Sequence, residues 1–128
     1  MEKYIFYHCP LCGNMLTREA GSTDHPVCCG ESMQRLVAQT ADSSTEKHVP
    51  VITIDGNKVT VVVGSTLHPM LAKHYIMHIY LVTSKGLKSA FLEPEQAPEA
   101  LFTLEEGETV LGAYEYCNIH GLWYASAE

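Results

Sequence analysis

The sequence predicts a mainly β protein: an antiparallel β-sandwich preceded by a small, cysteine-dependent metal domain. Three observations predict it. Short runs rich in β-branched and aromatic residues recur from Val49 to the C-terminus, punctuated by Gly, Pro and Asn. Cys9, Cys12, Cys28 and Cys29 crowd into the opening stretch, well apart from Cys117. No segment has the length and 3.6-residue periodicity of a long helix; Glu95 to Ala100 is at most a short turn.

The first region, Met1 to Val37, is shorter than the ~40 residues below which a fold usually needs a staple. A bound metal would supply it and couple folding to binding. Cys9-Pro10-Leu11-Cys12-Gly13 has the form of a metal knuckle: two thiolates grip one ion, and Gly13 permits the reversal that aims amide N–H groups at sulfur. Cys28 and Cys29 complete a four-thiolate set. Adjacent side chains point to opposite faces of a regular strand, so both can ligate only if the backbone bends there, which Gly30 assists. Four sulfurs suit zinc or iron. In a reducing compartment such a cluster favours metal over disulfides.

Ala38 to Thr45 is small and polar, and reads as a linker. Beyond it, Val49 to Ile54 and Lys58 to Val63 read as strands joined at Asp55-Gly56-Asn57, a hairpin signal. His74 to Thr83 is a long strand. Ser89 to Leu92, Ala100 to Leu104, Thr109 to Tyr116 and Leu122 to Ala125 are shorter ones, with Pro94, Pro98 and Gly107 in the gaps.

The chain has 128 residues, 46% of them hydrophobic, enough for one medium domain or two small ones. Its formal charge of −7 argues against a general nucleic-acid role, which needs a basic surface. No apolar run approaches the ~18 residues of a membrane span. Met1-Glu2-Lys3-Tyr4 lacks the basic region of a signal peptide, so a cytoplasmic location is expected.

A second donor set follows from Cys117-Asn118-Ile119-His120-Gly121, where a thiolate and an imidazole lie three positions apart before a glycine. His48, His68 and His74 stand upstream. One sulfur with several nitrogens suits a redox metal better than a structural one. His74 and His78 have the spacing of a helical zinc pair, but Tyr75, Ile76, Ile79 and Tyr80 favour strand, where four residues span about 13 Å. One ion cannot bridge that distance, so His78 is read as a packing residue. His8 and His25 are set aside as ligands of this site.

Taken together these blocks resemble the two-iron superoxide reductases, or desulfoferrodoxins. The match rests on Glu46-Lys47-His48-Val49-Pro50, on His68-Pro69-Met70 running to Lys73-His74-Tyr75-Ile76, and on Cys117 to Trp123. Cys9-x-x-Cys12-Gly13-Asn14 with Cys28-Cys29-Gly30 is similar to the desulforedoxin module. The resemblance covers essentially the whole chain. It implies an immunoglobulin-like antiparallel β-sandwich over 46–128, a rubredoxin-like (desulforedoxin) iron domain over 1–37, and a linker over 38–45.

It also implies two non-haem irons per chain. Cys9, Cys12, Cys28 and Cys29 would hold one. His48, His68, His74 and His120 would ring the other, with Cys117 as its axial thiolate and one position left for substrate. The activity implied is one-electron reduction of superoxide to hydrogen peroxide. Lys47 would attract the anion, with Lys73 a second candidate, and Glu46 would take the open position in the oxidised state. A small redox protein such as rubredoxin is the implied donor, and a homodimer the implied assembly. His78 departs from the family, where tryptophan is common; alternation would put it on the face of His74. The competing readings are a non-catalytic metalloprotein, a pure electron carrier, and a dismutase.

Overall fold

The computed structural model describes residues 3–21, 25–40, 48–64 and 69–127. Glu46, Lys47, His68 and the stretch 41–45 lie outside the described residues. The chain divides into two compact units, Met1–Val37 and Ala38–Glu128. No helix occurs among the described residues.

In the first unit, β1 (Tyr4–His8) lies between β2 (Met15–Glu19) and β5 (Gln34–Leu36) in an antiparallel sheet. The sequence reading assigned no strands here. Ile5, Tyr7, Cys9 and Met33 form the small core, with Cys28 against it. A separate two-stranded ribbon joins β3 (Val27–Cys28) to β4 (Glu31–Ser32). Its tip is Cys29-Gly30, with φ of 55° and 79°. Positive φ at both central residues is the mark of the tight hairpin turn that matches strand twist. Cys29 is one of only two non-glycine residues with positive φ among those described. This is the bend that adjacent ligating cysteines require.

The second unit is the β-sandwich. One sheet has the order β10-β7-β6, built from β6 (Pro50–Asp55), β7 (Lys58–Val63) and β10 (Glu99–Thr103). The other has the order β12-β11-β8-β9, from β8 (Ile76–Thr83), β9 (Gly86–Phe91), β11 (Val110–Cys117) and β12 (Gly121–Ser126). All pairings between these strands are antiparallel. The β6–β7 hairpin turns at Gly56-Asn57, with Gly56 at φ 60°. Alternation drives the packing. Val59, Val61 and Val63 are fully buried and meet Ile76, Ile79, Leu81, Ala113 and Cys117 of the other sheet. Each such valine contributes about 1.5–3 kcal/mol on burial. Leu101, on the opposite face of β10, is exposed.

Two readings need correction. Gln39, taken as linker, pairs in parallel with Trp123 at the free edge of β12. Its N–H donates to the Leu122 carbonyl and its carbonyl accepts from Tyr124 N–H, at 2.9 and 2.8 Å. Small polar composition predicts the lack of a core face, but it is silent on main-chain pairing.

The second correction concerns His78. The strand begins at Ile76, not His74, and its register against β11 shifts between Tyr116 and Cys117, leaving Met77 as an extra residue. The bulge resets the period of two, so Ile76 and Ile79 both face the core. His78 therefore turns to the outer face, among Phe91, Tyr80 and Tyr116 at ring distances of 5.0, 5.9 and 6.2 Å. Burial lowers its pKa, which favours the neutral ring.

At the far end of the sandwich, buried Glu108 accepts from the Thr83 hydroxyl and from Glu105 N–H, and faces Lys88 Nζ at 3.6 Å.

Candidate metal centres

The four N-terminal cysteines converge, as their spacing predicts, with their sulfurs within 4.8 Å of one another. The knuckle closes through Gly13 N–H to the Cys9 carbonyl and Cys9 N–H to the Asn14 carbonyl, both 2.9 Å. Gly13 takes φ 80°, so glycine serves the reversal. The Cys12 and Cys28 sulfurs are 3.6 Å apart, and those of Cys28 and Cys29 are 3.8 Å apart. Tetrahedral bonds of about 2.3 Å to sulfur set neighbouring sulfurs about 3.8 Å apart. The set therefore fits a tetrahedral ion.

Its protons are unevenly held. Backbone N–H of Cys12 is the main influence lowering Cys9 to about 7. Hydrogen bonding with Cys12, then Cys28, pushes Cys29 up to about 12, and hydrogen bonding with Cys12, then Cys9, raises Cys28. Metal binding must displace those protons.

The second set draws from four places in the sandwich unit. His48 precedes β6. His74 closes a tight turn whose ends, Leu71 and His74, exchange both main-chain hydrogen bonds at 2.9 and 3.0 Å. Cys117 ends β11 and is fully buried. His120 lies in the three-residue loop to β12, whose first residue, Gly121, has φ 86°. Their donor atoms all lie within 4.8 Å of one another. His48 Nε2 and His120 Nδ1 are 2.9 Å apart, and Cys117 Sγ is 3.8 Å from His120 Nδ1. Nitrogens at right angles on bonds of about 2.1 Å would stand about 3.0 Å apart, so the histidine pair fits one ion. Sequence reasoning named all four residues.

It missed what holds them. Asn118 Oδ1 accepts from Tyr75 N–H at 3.0 Å, and its Nδ2 donates to the Lys73 carbonyl at 3.1 Å. One amide thus brackets His74 from both sides and ties it to the Cys117 loop. A short amide side chain directly after a ligating cysteine was the available signal. The His120 carbonyl accepts from Trp123 Nε1 at 3.1 Å and from Gln39 Nε2 at 2.9 Å.

Burial raises the Cys117 thiol, and the neighbouring Glu115 charge adds to this. Backbone N–H groups of His120 and Ile119 act in the opposite direction. A cation would complete what those amides begin, since the thiolate is the ligating form. Glu115 itself is fully buried, and burial raises its pKa well above the ordinary value.

Comparison with known proteins agrees with this arrangement. The Desulfoferrodoxin family profile matches residues 40–126. Desulfoferrodoxin of Desulfarculus baarsii is 45% identical over 125 residues, covering 97% of each chain. Desulfoferrodoxin of Nitratidesulfovibrio vulgaris is 45% identical over 127 residues, covering 98% of each. The crystal structure of the superoxide reductase from Treponema pallidum superposes with a TM-score of 0.88 at 33% identity, over 96% of this chain and 98% of that one. The two donor sets are accordingly those of two iron centres. With both sets assembled and the likeness running almost end to end, this chain belongs to the desulfoferrodoxin family.

Proposed function

We propose that the protein is a superoxide reductase, which converts superoxide to hydrogen peroxide by one electron, without forming dioxygen, as part of oxidative-stress defence. One observation carries this reading: His48, His74, His120 and Cys117 bring their donor atoms together in one cluster. His68 is assigned to the same set from its place in the family motif. A purely structural site has no need of a mixed set so rich in imidazole. The kinship with the Treponema pallidum superoxide reductase supports the same conclusion.

Held by His48, His74, His120 and Cys117, ferrous iron would supply the one electron that, with two protons, turns superoxide into hydrogen peroxide. The protein's own tasks are to hold the donors, to keep Cys117 as thiolate, and to bring in an anion. The last is demanding, because a chain of net charge −7 repels superoxide at long range. Lys47, adjacent to His48, is assigned to override that repulsion locally. Glu46 is assigned as the carboxylate that occupies the substrate position in the resting oxidised protein. The four-cysteine unit stands outside the superoxide step, and at most hands on electrons from a small redox protein such as rubredoxin. The assembly is read as a cytoplasmic homodimer.

The test is a pulse of superoxide mixed with reduced protein of measured iron content. One peroxide per superoxide, without dioxygen, is expected. Dioxygen at half the superoxide consumed would make the protein a dismutase. Iron-loaded protein that leaves superoxide untouched would leave only a metal-binding or electron-transfer role.

A further inference from the structure

The loop from Cys117 to Gly121 carries two donors of the second set, and its two ends are held differently. At the Cys117 end, Asn118 binds the main chain at Lys73 and Tyr75. At the His120 end, the fastening comes from a residue 81 positions away in sequence. Gln39 donates from Nε2 to the His120 carbonyl at 2.9 Å, where Trp123 Nε1 also donates at 3.1 Å. Two N–H donors on one carbonyl use both its lone pairs and fix the plane of the peptide that follows His120. The main chain of Gln39 adds two more hydrogen bonds, to Leu122 and Tyr124, just beyond the loop.

We propose that Gln39 is a positioning residue for the iron centre, fixing the loop that presents His120. The proposal rests on the reading of the second donor set as the reactive centre. Gln39 touches no donor atom; it acts through the His120 carbonyl. Without the Gln39 amide the His120 carbonyl keeps only the Trp123 donor, and a peptide plane held by one hydrogen bond instead of two lets the imidazole of His120 drift relative to His48 and Cys117. Groups that orient a ligand contribute to metal affinity and to the electronic character of the site, beyond their share in stability.

Two variants separate positioning from folding. Gln39→Ala removes the side-chain donor and keeps the main-chain pairing. Gln39→Glu keeps the size but replaces the donor with a carboxylate. Each is compared with wild type, both irons loaded, for iron loss to a chelator, for the visible absorption of the thiolate-bound iron, and for thermal unfolding. Both variants are expected to lose iron from the second set about three- to tenfold faster, the scale of one hydrogen bond. The thiolate band should shift, while the four-cysteine signal of the same chain stays unchanged as an internal control. Iron loss and a band like wild type in either variant would overturn the proposal. So would equal weakening at both sites, which would mark a general loss of stability. Wild type that holds no iron at the second set would instead sink the reading of the site on which Gln39's role depends.

Discussion

The imidazole of His48 lies stacked on the indole of Trp123, with ring centroids 4.8 Å apart and 16° between the planes. The same indole donates its N–H to the His120 carbonyl. One side chain therefore supports two donors, one by its face and one by its edge. Trp123→Phe keeps a stacking surface and loses the donor, so it should cost about 1 kcal/mol. Trp123→Ala removes a buried ring as well and should cost about 3–5 kcal/mol. Denaturant unfolding of the two variants measures the difference; equal losses would show that the N–H donor, and not the ring body, carries the contribution.

Asn118→Ala should loosen His74 without removing a ligand. Both bracketing hydrogen bonds disappear, and second-set iron should exchange about tenfold faster, the lower end for losing a partner that orients a ligand. Chelator competition reads this directly. Exchange at the wild-type rate would mean that the Leu71–His74 turn positions the histidine alone.

Glu108 should make the sandwich sensitive to acid. The Thr83 hydroxyl chiefly, then Glu105 N–H and Lys88, hold its carboxyl below the usual range. A depressed folded pKa means that the unfolded chain takes up the proton first. The contribution to stability is thus complete above the ordinary carboxylate pKa, and is lost as pH falls from there through the lowered value. Glu108→Gln should be less stable than wild type at pH 7 and should flatten the acid limb of a urea-unfolding series. Parallel pH curves for the two proteins would refute this.

Lys47→Ala should lower the second-order rate with superoxide and weaken its dependence on ionic strength, because a local attraction would be gone. Stopped-flow rates across a salt series test it. An unchanged slope would assign the steering elsewhere, with Lys73 the next candidate.

Cys9→Ser should remove the four-cysteine iron and unsettle the first unit, since Cys9 belongs to its core. Iron at the second set should remain, with its thiolate absorption intact. Loss of both signals together would show that the two units are not separable in stability.

Much of this was legible from residue pattern, and the exceptions share a cause. Lys58–Val63 is a strand with the bounds its alternation predicts, because its valines have one buried face to serve. The bend at Cys28-Cys29 followed from geometry, since neighbouring sulfurs cannot otherwise converge. His48, His74, Cys117 and His120 were found from chemistry and family resemblance. What escaped depends on a distant partner. The Met77 bulge is defined only by pairing with β11. Gln39 is ordered by Trp123 and His120, and nothing near it in sequence announces that. The strands of the first unit are short, and their core is too small to print a clear period.

The ribbon tip at Cys29-Gly30 has a consequence for how this region can vary. Each strand of the ribbon is only two residues long. One inserted residue between Cys28 and Cys29 would swing one sulfur to the opposite side, and no longer scaffold exists to absorb the offset. Substitutions around the tip should therefore be far better tolerated than any change of length within it. Random insertions and deletions through this segment should yield colourless first units far more often than random replacements do.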